Sequence, residues 1–239
     1  MKHCLLGFVL GVVPMVAGAL DAEFDLDGNQ VNQEDFESMA EDITAVLNYK
    51  ALGPAEPLGL VGFGIGAFAS YVATEDDGPW RRVTNDSVDE IGMVGIAAQK
   101  GLPLGLDVGL SYAYIPGADA DVIGGEVRYA LLDGGLAQPA VALRGTYTVL
   151  TGVDDFDFDA YGLDISISKG FGPLTPYAGA GYVWSRYEID ESVQGLQDTD
   201  VDESRIFIGL RLSLLFGITP EYERIGDRDV FNLRAGFTF

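Results

Sequence analysis

The feature that most constrains the fold is the alternation of apolar and polar residues at the end of this 239-residue chain. On an extended strand, successive side chains point to opposite faces. One face of the last strand would carry Phe231, Leu233, Ala235, Phe237 and Phe239, and the other would carry Asn232, Arg234, Gly236 and Thr238. In an open sheet this strand would be a long apolar edge, which proteins normally cover. In a closed barrel it pairs with the first strand, so the pattern predicts a barrel.

The chain from Leu58 onward divides into strand-length runs, which predicts an all-β, antiparallel, up-and-down transmembrane barrel of about ten strands. The runs are 58–74, 90–101, 104–115, 121–132, 138–151, 158–170, 175–189, 204–216, 218–225 and 229–239. Tilted strands that cross a bilayer need roughly 9–11 residues each, and these runs suit that length.

The connections between the runs alternate in length and composition. Short turns with Gly and Pro separate the longer acidic loops 75–89, 116–120, 152–157, 190–203 and 226–228. Outer-membrane barrels have short periplasmic turns and longer external loops. An even number of strands then places both ends of the barrel on the periplasmic side.

Aromatic residues cluster toward the ends of the runs and predict two interfacial girdles. The loop-side girdle would contain Tyr71, Tyr112, Tyr114, Tyr147, Trp184 and Tyr187, and the turn-side girdle Tyr129, Phe171, Tyr177, Phe216, Tyr222 and Phe239.

Residues 1–19 have the organisation of a signal peptide. Lys2 precedes an apolar stretch from Leu5 to Val16, and the small residues 17–19 form a cleavage site. We expect the mature chain to begin at or near Leu20. Cleavage there would remove Cys4 and His3, the only cysteine and the only histidine.

Composition agrees with an exported barrel. The chain is 48% hydrophobic yet carries a formal net charge of −23, a combination expected of a lipid-facing band joined to acidic loops. After the signal peptide, no run approaches the 18 or so apolar residues of a transmembrane helix, which excludes a helical membrane protein.

The terminal strand, with its apolar alternation and final Phe239, resembles the carboxyl-terminal signature of Gram-negative outer-membrane β-barrels. Residues 51–59, 100–103, 168–171 and 176–179 resemble an uncharacterised proteobacterial family of such barrels. The resemblance implies a location in the cell outer membrane, with outer-membrane lipid, lipopolysaccharide and the barrel-assembly machinery as partners. It also implies that Phe231, Phe237 and Phe239 act as an assembly signal. It carries no activity.

Residues 20–57 form an acidic segment that we expect in the periplasm. Asn32 can cap a helix over residues 33–48, in which Phe36, Met39 and Ile43 recur at helical spacing. We expect this helix at the periplasmic mouth of the barrel, packed on turn residues such as Pro103 and Leu174, because a helix about 10–12 Å wide fills most of a ten-stranded lumen. The acidic run 23–30 invites a calcium-loop interpretation, but Gln30 stands where such a loop needs an apolar residue, which favours a solvated turn.

Alternation within residues 58–239, the barrel itself, directs a set of charged residues toward the lumen. They are Asp107, Glu126, Arg128, Arg144, Asp164, Arg205, Arg211, Glu221, Glu223 and Arg234. Buried charges must be paired or hydrogen-bonded. We expect a lumen charge network in which Arg144, Arg205, Arg211 and Arg234 face Glu126, Asp164, Glu221 and Glu223 and close the lumen to ions. The many glycines on the strands favour an open lumen instead, because a residue without a side chain leaves more empty volume inside the barrel.

These observations favour a non-enzymatic barrel without cofactor or metal, serving envelope structure or the passage of small, apolar molecules. Barrel enzymes of the family resembled, such as lipid A deacylases and omptin proteases, use a catalytic histidine, which this mature chain would lack. The acidic loops are expected to be solvated surface rather than acid–base machinery. An alternative is a binding or adhesion barrel whose external loops contact cations or a partner. Nothing in the sequence points to nucleic acid.

Overall fold

The computed structural model describes Leu26 and residues 31–73, 77–84, 90–118 and 120–239. The predicted signal peptide and its cleavage site lie outside the described residues, as does the calcium-loop alternative apart from Leu26. Within these ranges no helix is long and apolar enough to cross a bilayer.

Ten antiparallel strands form a closed up-and-down barrel in which each strand pairs with its sequence neighbours and β1 pairs with β10. The strands are β1 Phe63–Ala73, β2 Glu90–Gly101, β3 Leu106–Tyr114, β4 Asp121–Asp133, β5 Ala140–Thr151, β6 Phe156–Ser168, β7 Leu174–Ile189, β8 Thr199–Ser213, β9 Gly217–Ile225 and β10 Arg228–Thr238. The predicted fold class is confirmed. The end of the barrel with the short turns is called the turn end, and the other the loop end.

In the described part of the chain, two α-helices accompany the barrel. Helix α1, Gln33–Leu47, begins where Asn32 accepts a hydrogen bond from the backbone N–H of Asp35, and Glu34 and Asp35 lie in its first turn. The predicted N-terminal helix is therefore present. Helix α2, Asp77–Thr84, lies in the connection between β1 and β2, which the sequence indicated only as an acidic loop.

Strand β8 is longer than predicted and begins at Thr199 rather than at residue 204. Its first residues continue the strand alternation, with Thr199 and Val201 buried and Asp200 and Asp202 exposed. Asp200 and Asp202 face outward, so this part of the predicted acidic loop is in fact the polar outer side of the wall.

The barrel is closed by its two terminal strands, whose register runs from Gly64 opposite Thr238 to Val72 opposite Val230. Beyond the ladder, the N–H of Phe63 donates to the Phe239 carbonyl at 3.0 Å, and the N–H of Phe239 donates to the Phe63 carbonyl at 2.8 Å. The two rings stack with centroids 4.8 Å apart. The last residue is thus part of the seam.

Replacing Phe239 by Ser is expected to lower the amount of protein assembled in the membrane far more than it lowers the stability of the folded barrel. Its side chain is 67% exposed, so folding buries little of it, and truncation costs only a small part of a buried aromatic's free energy. Phe171→Ser is the matched control, because Phe171 is an equally exposed aromatic at the turn end, at 64%. Membrane yield and urea unfolding are measured for both variants. Equal yields of the Phe239→Ser variant and the parent would contradict a role of the terminal residue in assembly.

The outer face of the wall is a continuous apolar band. Exposed large apolar side chains include Ile96, Leu110, Val127, Leu163, Ile208 and Phe231. On β5 the expected alternation holds, since Leu143 is exposed while its neighbours Ala142 and Arg144 are buried. A closed wall with apolar side chains outside and polar ones inside is suited to lipid.

Two members of the predicted aromatic girdles were assigned to the wrong face. Tyr177 and Tyr187 are buried and face the lumen, because both fall on the inward register of β7. Inside, their hydroxyl groups donate to the Glu221 carboxylate and the Ala40 carbonyl, each at 2.7 Å.

Candidate functional site: the lumen and its plug

Helix α1 lies inside the loop-end half of the barrel. The hydroxyl of Thr44 is 2.6 Å from that of Ser185 and 2.8 Å from that of Tyr187, both near the loop end of β7. The apolar face of α1, which includes Phe36, Met39 and Val46, belongs to one hydrophobic core cluster with inward residues of the wall. The barrel therefore encloses most of the helix, and only side chains of its first turns reach solvent.

The expectation that this helix sits at the periplasmic mouth, against Pro103 and Leu174, was wrong. The wall residues around α1 include small ones, among them Ala97, Ala113 and Ala160, beside larger ones such as Phe156. The size argument assumed inward side chains of ordinary bulk. The small side chains leave enough space in the lumen for a helix about 10–12 Å wide.

The acidic residues of α1 do not all stay in water either. Glu34 and Glu37 are exposed, but Asp42 is 2% exposed and accepts hydrogen bonds from Arg228 and from the indole N–H of Trp80. Asp35 is buried and paired with Arg82. These cationic and indole partners come from the loop end, where α2 and the β9–β10 hairpin close over the helix.

After α1 the chain continues as an extended segment, residues 48–57, which we call the strap. It descends through the lumen from the loop end to the turn end. Three wall arginines donate to three of its backbone carbonyl oxygens: Arg144 to Ala51 at 2.8 Å, Arg234 to Leu52 at 3.0 Å and Arg128 to Pro54 at 2.9 Å. The strap thus accepts hydrogen bonds from guanidinium groups on three different strands. Helix α1 and the strap together are called the plug.

Both ends of the strap are fixed by side chains of the wall. Near the top, the amine of Lys50 is 2.8 Å from the Glu223 carboxylate, and both side chains are fully buried. Near the bottom, the N–H of Ala55 donates to Ser168 at 3.1 Å, and the N–H of Leu58 donates to Asp107 at 3.2 Å.

The centre of the lumen holds a chain of alternating charges. Asp164 is 3.0 Å from Arg144 and 3.4 Å from Arg205, and Arg205 also pairs with Glu223, the partner of Lys50. The ring of Phe207 lies beneath both guanidinium groups, with centroid distances of 5.5 and 5.1 Å. Cations over an aromatic face gain further electrostatic stabilisation.

The remaining predicted network residues are inside but have other partners than those expected. Glu126 accepts from Gln99 at 2.7 Å rather than from an arginine, and Gln99 in turn accepts from Arg234 at 2.9 Å. Arg128 pairs with Asp107, which leaves its other nitrogen for the strap. Strand parity placed these side chains in the lumen correctly, but it did not determine which partner each of them would meet.

Glu221 and Arg211 complete the set. Glu221 is reached by the Tyr177 hydroxyl, which extends from β7 over Gly209 to β9. The Arg211 guanidinium lies beside Gly53 of the strap.

Inward glycines make room for the plug, and they are the one signal in the sequence that could have revealed it. A Cβ atom on Gly124 would lie 2.7 Å from the Tyr49 ring, and one on Gly109 would lie 2.9 Å from the Tyr49 hydroxyl. Both distances are too short for real atoms. The wall is therefore shaped around the side chain of Tyr49, in the strap.

No protein-family model matches the chain, and no curated protein matches it. Among solved structures, the chain is similar to the N-terminal β-barrel domain of OprF from Pseudomonas aeruginosa, with 17% identity over 76% of this chain and 99% of that chain and a TM-score of 0.40. LpxR from Salmonella typhimurium has 10% identity, coverages of 74% and 99% and a TM-score of 0.41. The outer membrane protein OprG from Pseudomonas aeruginosa has 11% identity, coverages of 78% and 99% and a TM-score of 0.38. Values this low carry no activity, substrate or partner over to this chain.

The two faces of the wall indicate the surroundings in which this barrel is stable. Ten strands close without an edge, and the outer face of the wall is apolar while the lumen is charged and filled. Closed barrels of this kind are one of the two structures that can span a bilayer. The protein therefore has the fold of a membrane-spanning β-barrel.

Proposed function

We propose that the protein is a non-enzymatic outer-membrane barrel that serves envelope structure, and that its lumen is kept closed by its own N-terminal segment. The observation that supports this is the strap, whose backbone carbonyls at Ala51, Leu52 and Pro54 accept hydrogen bonds from three buried arginines. Hydrogen bonds to charged groups are each worth about 1.5–3 kcal/mol. Small apolar molecules could pass through the lumen only if the strap were displaced and these bonds broken. The outer-membrane partners of this barrel would be lipid, lipopolysaccharide and the barrel-assembly machinery.

Reconstitution into planar lipid bilayers tests the closure. The parent protein is expected to give no steady conductance, because the plug and the charge network occupy the lumen. Lys50→Glu is expected to give channel openings, because a carboxylate there repels Glu223 and weakens the top of the strap. Lys50→Met is the matched control: it keeps the length of the side chain, and Glu223 retains its pair with Arg205. Large, stable single-channel currents from the parent would refute the closed lumen.

A binding or adhesion role of the external loops is the second candidate. It is supported by the exposed carboxylates of the connection between β7 and β8, including Asp190, Glu191 and Asp198. The triple variant Asp190→Asn, Glu191→Gln and Asp198→Asn tests it, because all three side chains are exposed and lie outside the paired residues of the β7–β8 ladder. Loss of cation or partner binding by a barrel that still folds would favour this role over a purely structural one. Unchanged binding would contradict it.

A further inference from the structure

The path of the plug determines which side of the membrane its amino end faces. The strap ends at the turn end of the barrel. The residue that follows it, Leu58, donates its N–H to Asp107, the second residue of β3. Strand β1 then begins at Phe63. Traced backward from that point, the chain rises through the lumen past Arg128, Arg144 and Glu223 to the helix in the loop-end half. The plug therefore spans the barrel from one end to the other.

The amino end of α1 is fixed to the external loops. The Gln33 side chain donates to the Thr199 hydroxyl at 2.9 Å and accepts from the N–H of Gln197 at 2.9 Å, so it is held by the connection between β7 and β8. Ahead of the helix, the N–H of Leu26 donates to Asp155 at 2.8 Å, in the connection between β5 and β6. Two separate loops of the same end thus hold this part of the chain.

The first two turns of α1 also present side chains to solvent at this end. Glu34 and Glu37 are exposed, whereas Phe36 and Met39 between and beyond them are fully buried. The polar face at the start of α1 therefore lies at the opening of the barrel, beside the external loops.

From these contacts we infer that the N-terminal segment is threaded through the whole barrel, so that the start of α1 is exposed on the outside of the cell. The external surface is then a composite of plug and loops, and a partner that binds the loops from outside also meets Glu34 and Glu37. This inference goes beyond the proposed structural role, because it concerns the path of the chain and not whether the lumen conducts. It contradicts the expectation of a periplasmic N-terminal segment.

Labelling of single cysteines in intact cells tests the path. The mature chain is expected to contain no cysteine once Cys4 is removed, so each introduced thiol is unique. Glu34→Cys and Glu37→Cys are treated with a membrane-impermeant maleimide, alongside Glu191→Cys in the external loop and Leu136→Cys, fully exposed in a turn. Only folded barrels, recognised by their altered migration in unheated detergent gels, are scored.

We expect Glu34→Cys and Glu37→Cys to react in intact cells to an extent comparable with Glu191→Cys, and Leu136→Cys to react only after the outer membrane is permeabilised. Ile43→Cys, in the buried part of α1, should stay unlabelled until the barrel is unfolded. The inference is overturned if the two helix variants react only after permeabilisation while Glu191→Cys reacts without it. Conductance measurements would be unaffected by that outcome, so the two hypotheses can fail separately.

Discussion

Replacing Asp164 by Asn is expected to destabilise the barrel by about 3–5 kcal/mol, the usual cost of removing one partner from a buried ion pair. Asp164 lies between Arg144 and Arg205, and all three side chains are 1% exposed. Asparagine keeps the shape but not the charge. Two guanidinium groups would then share the lumen with too few carboxylates, and water could not solvate them while the plug is in place.

The measurement is urea-induced unfolding of the reconstituted barrel, followed by tryptophan fluorescence. Asp200→Asn is the matched control, because Asp200 also pairs with an arginine of a neighbouring strand, at 3.7 Å, but both side chains are more than half exposed. Exposed pairs contribute no more than about 1 kcal/mol. If the two variants unfolded at the same urea concentration, the central charge chain would not stabilise the fold.

A second large effect is expected at Gly124, where Val should destabilise the barrel by about 1–3 kcal/mol through overpacking. The added Cβ would lie 2.7 Å from the ring of Tyr49, so either the ring or the wall must move. Because Tyr49 immediately follows α1 in the strap, the substitution tests directly whether the plug fills the lumen.

The adjacent glycine is the control for this experiment. A Cβ on Gly125 meets nothing closer than 3.6 Å, since it points to the lipid face. Valine favours strands at both sites, so its intrinsic preference cancels in the comparison. Urea unfolding is expected to show Gly125→Val close to the parent. A Gly125→Val barrel as unstable as Gly124→Val would mean that Tyr49 does not occupy this part of the lumen.

The sequence predicted the barrel because a two-residue period is a local property. Parity along β5 and β10 placed Arg144 and Arg234 in the lumen and Leu143 and Phe237 outside, without knowledge of any partner. The helix also followed from local signals, namely the Asn32 cap and the spacing of Phe36, Met39 and Ile43. Turn length and strand number likewise predicted, from local signals, which end of the barrel faces the periplasm.

The alternation of inward and outward residues was harder to interpret at the loop end, because there the apolar side chains face inward and the polar ones face outward. Phe156, Phe158 and Tyr187 point inward against α1, while Asp157 and Glu188 point outward. Beyond the lipid, the wall has water outside and an apolar helix inside, so its pattern is that of a soluble barrel. This reversal explains why the start of β8 looked like an acidic loop.

What the sequence determined by itself was which residues face inward, where the helix forms and how many strands form the wall. What only the tertiary structure decided was what the inward residues face. Arg128, Arg144 and Arg234 donate to backbone carbonyls of the strap, and a carbonyl acceptor has no signature in sequence because every residue carries one. The volume that admits the plug is likewise a sum over small residues of many strands, including Gly109, Gly124 and Ala160, which come together only when the barrel closes.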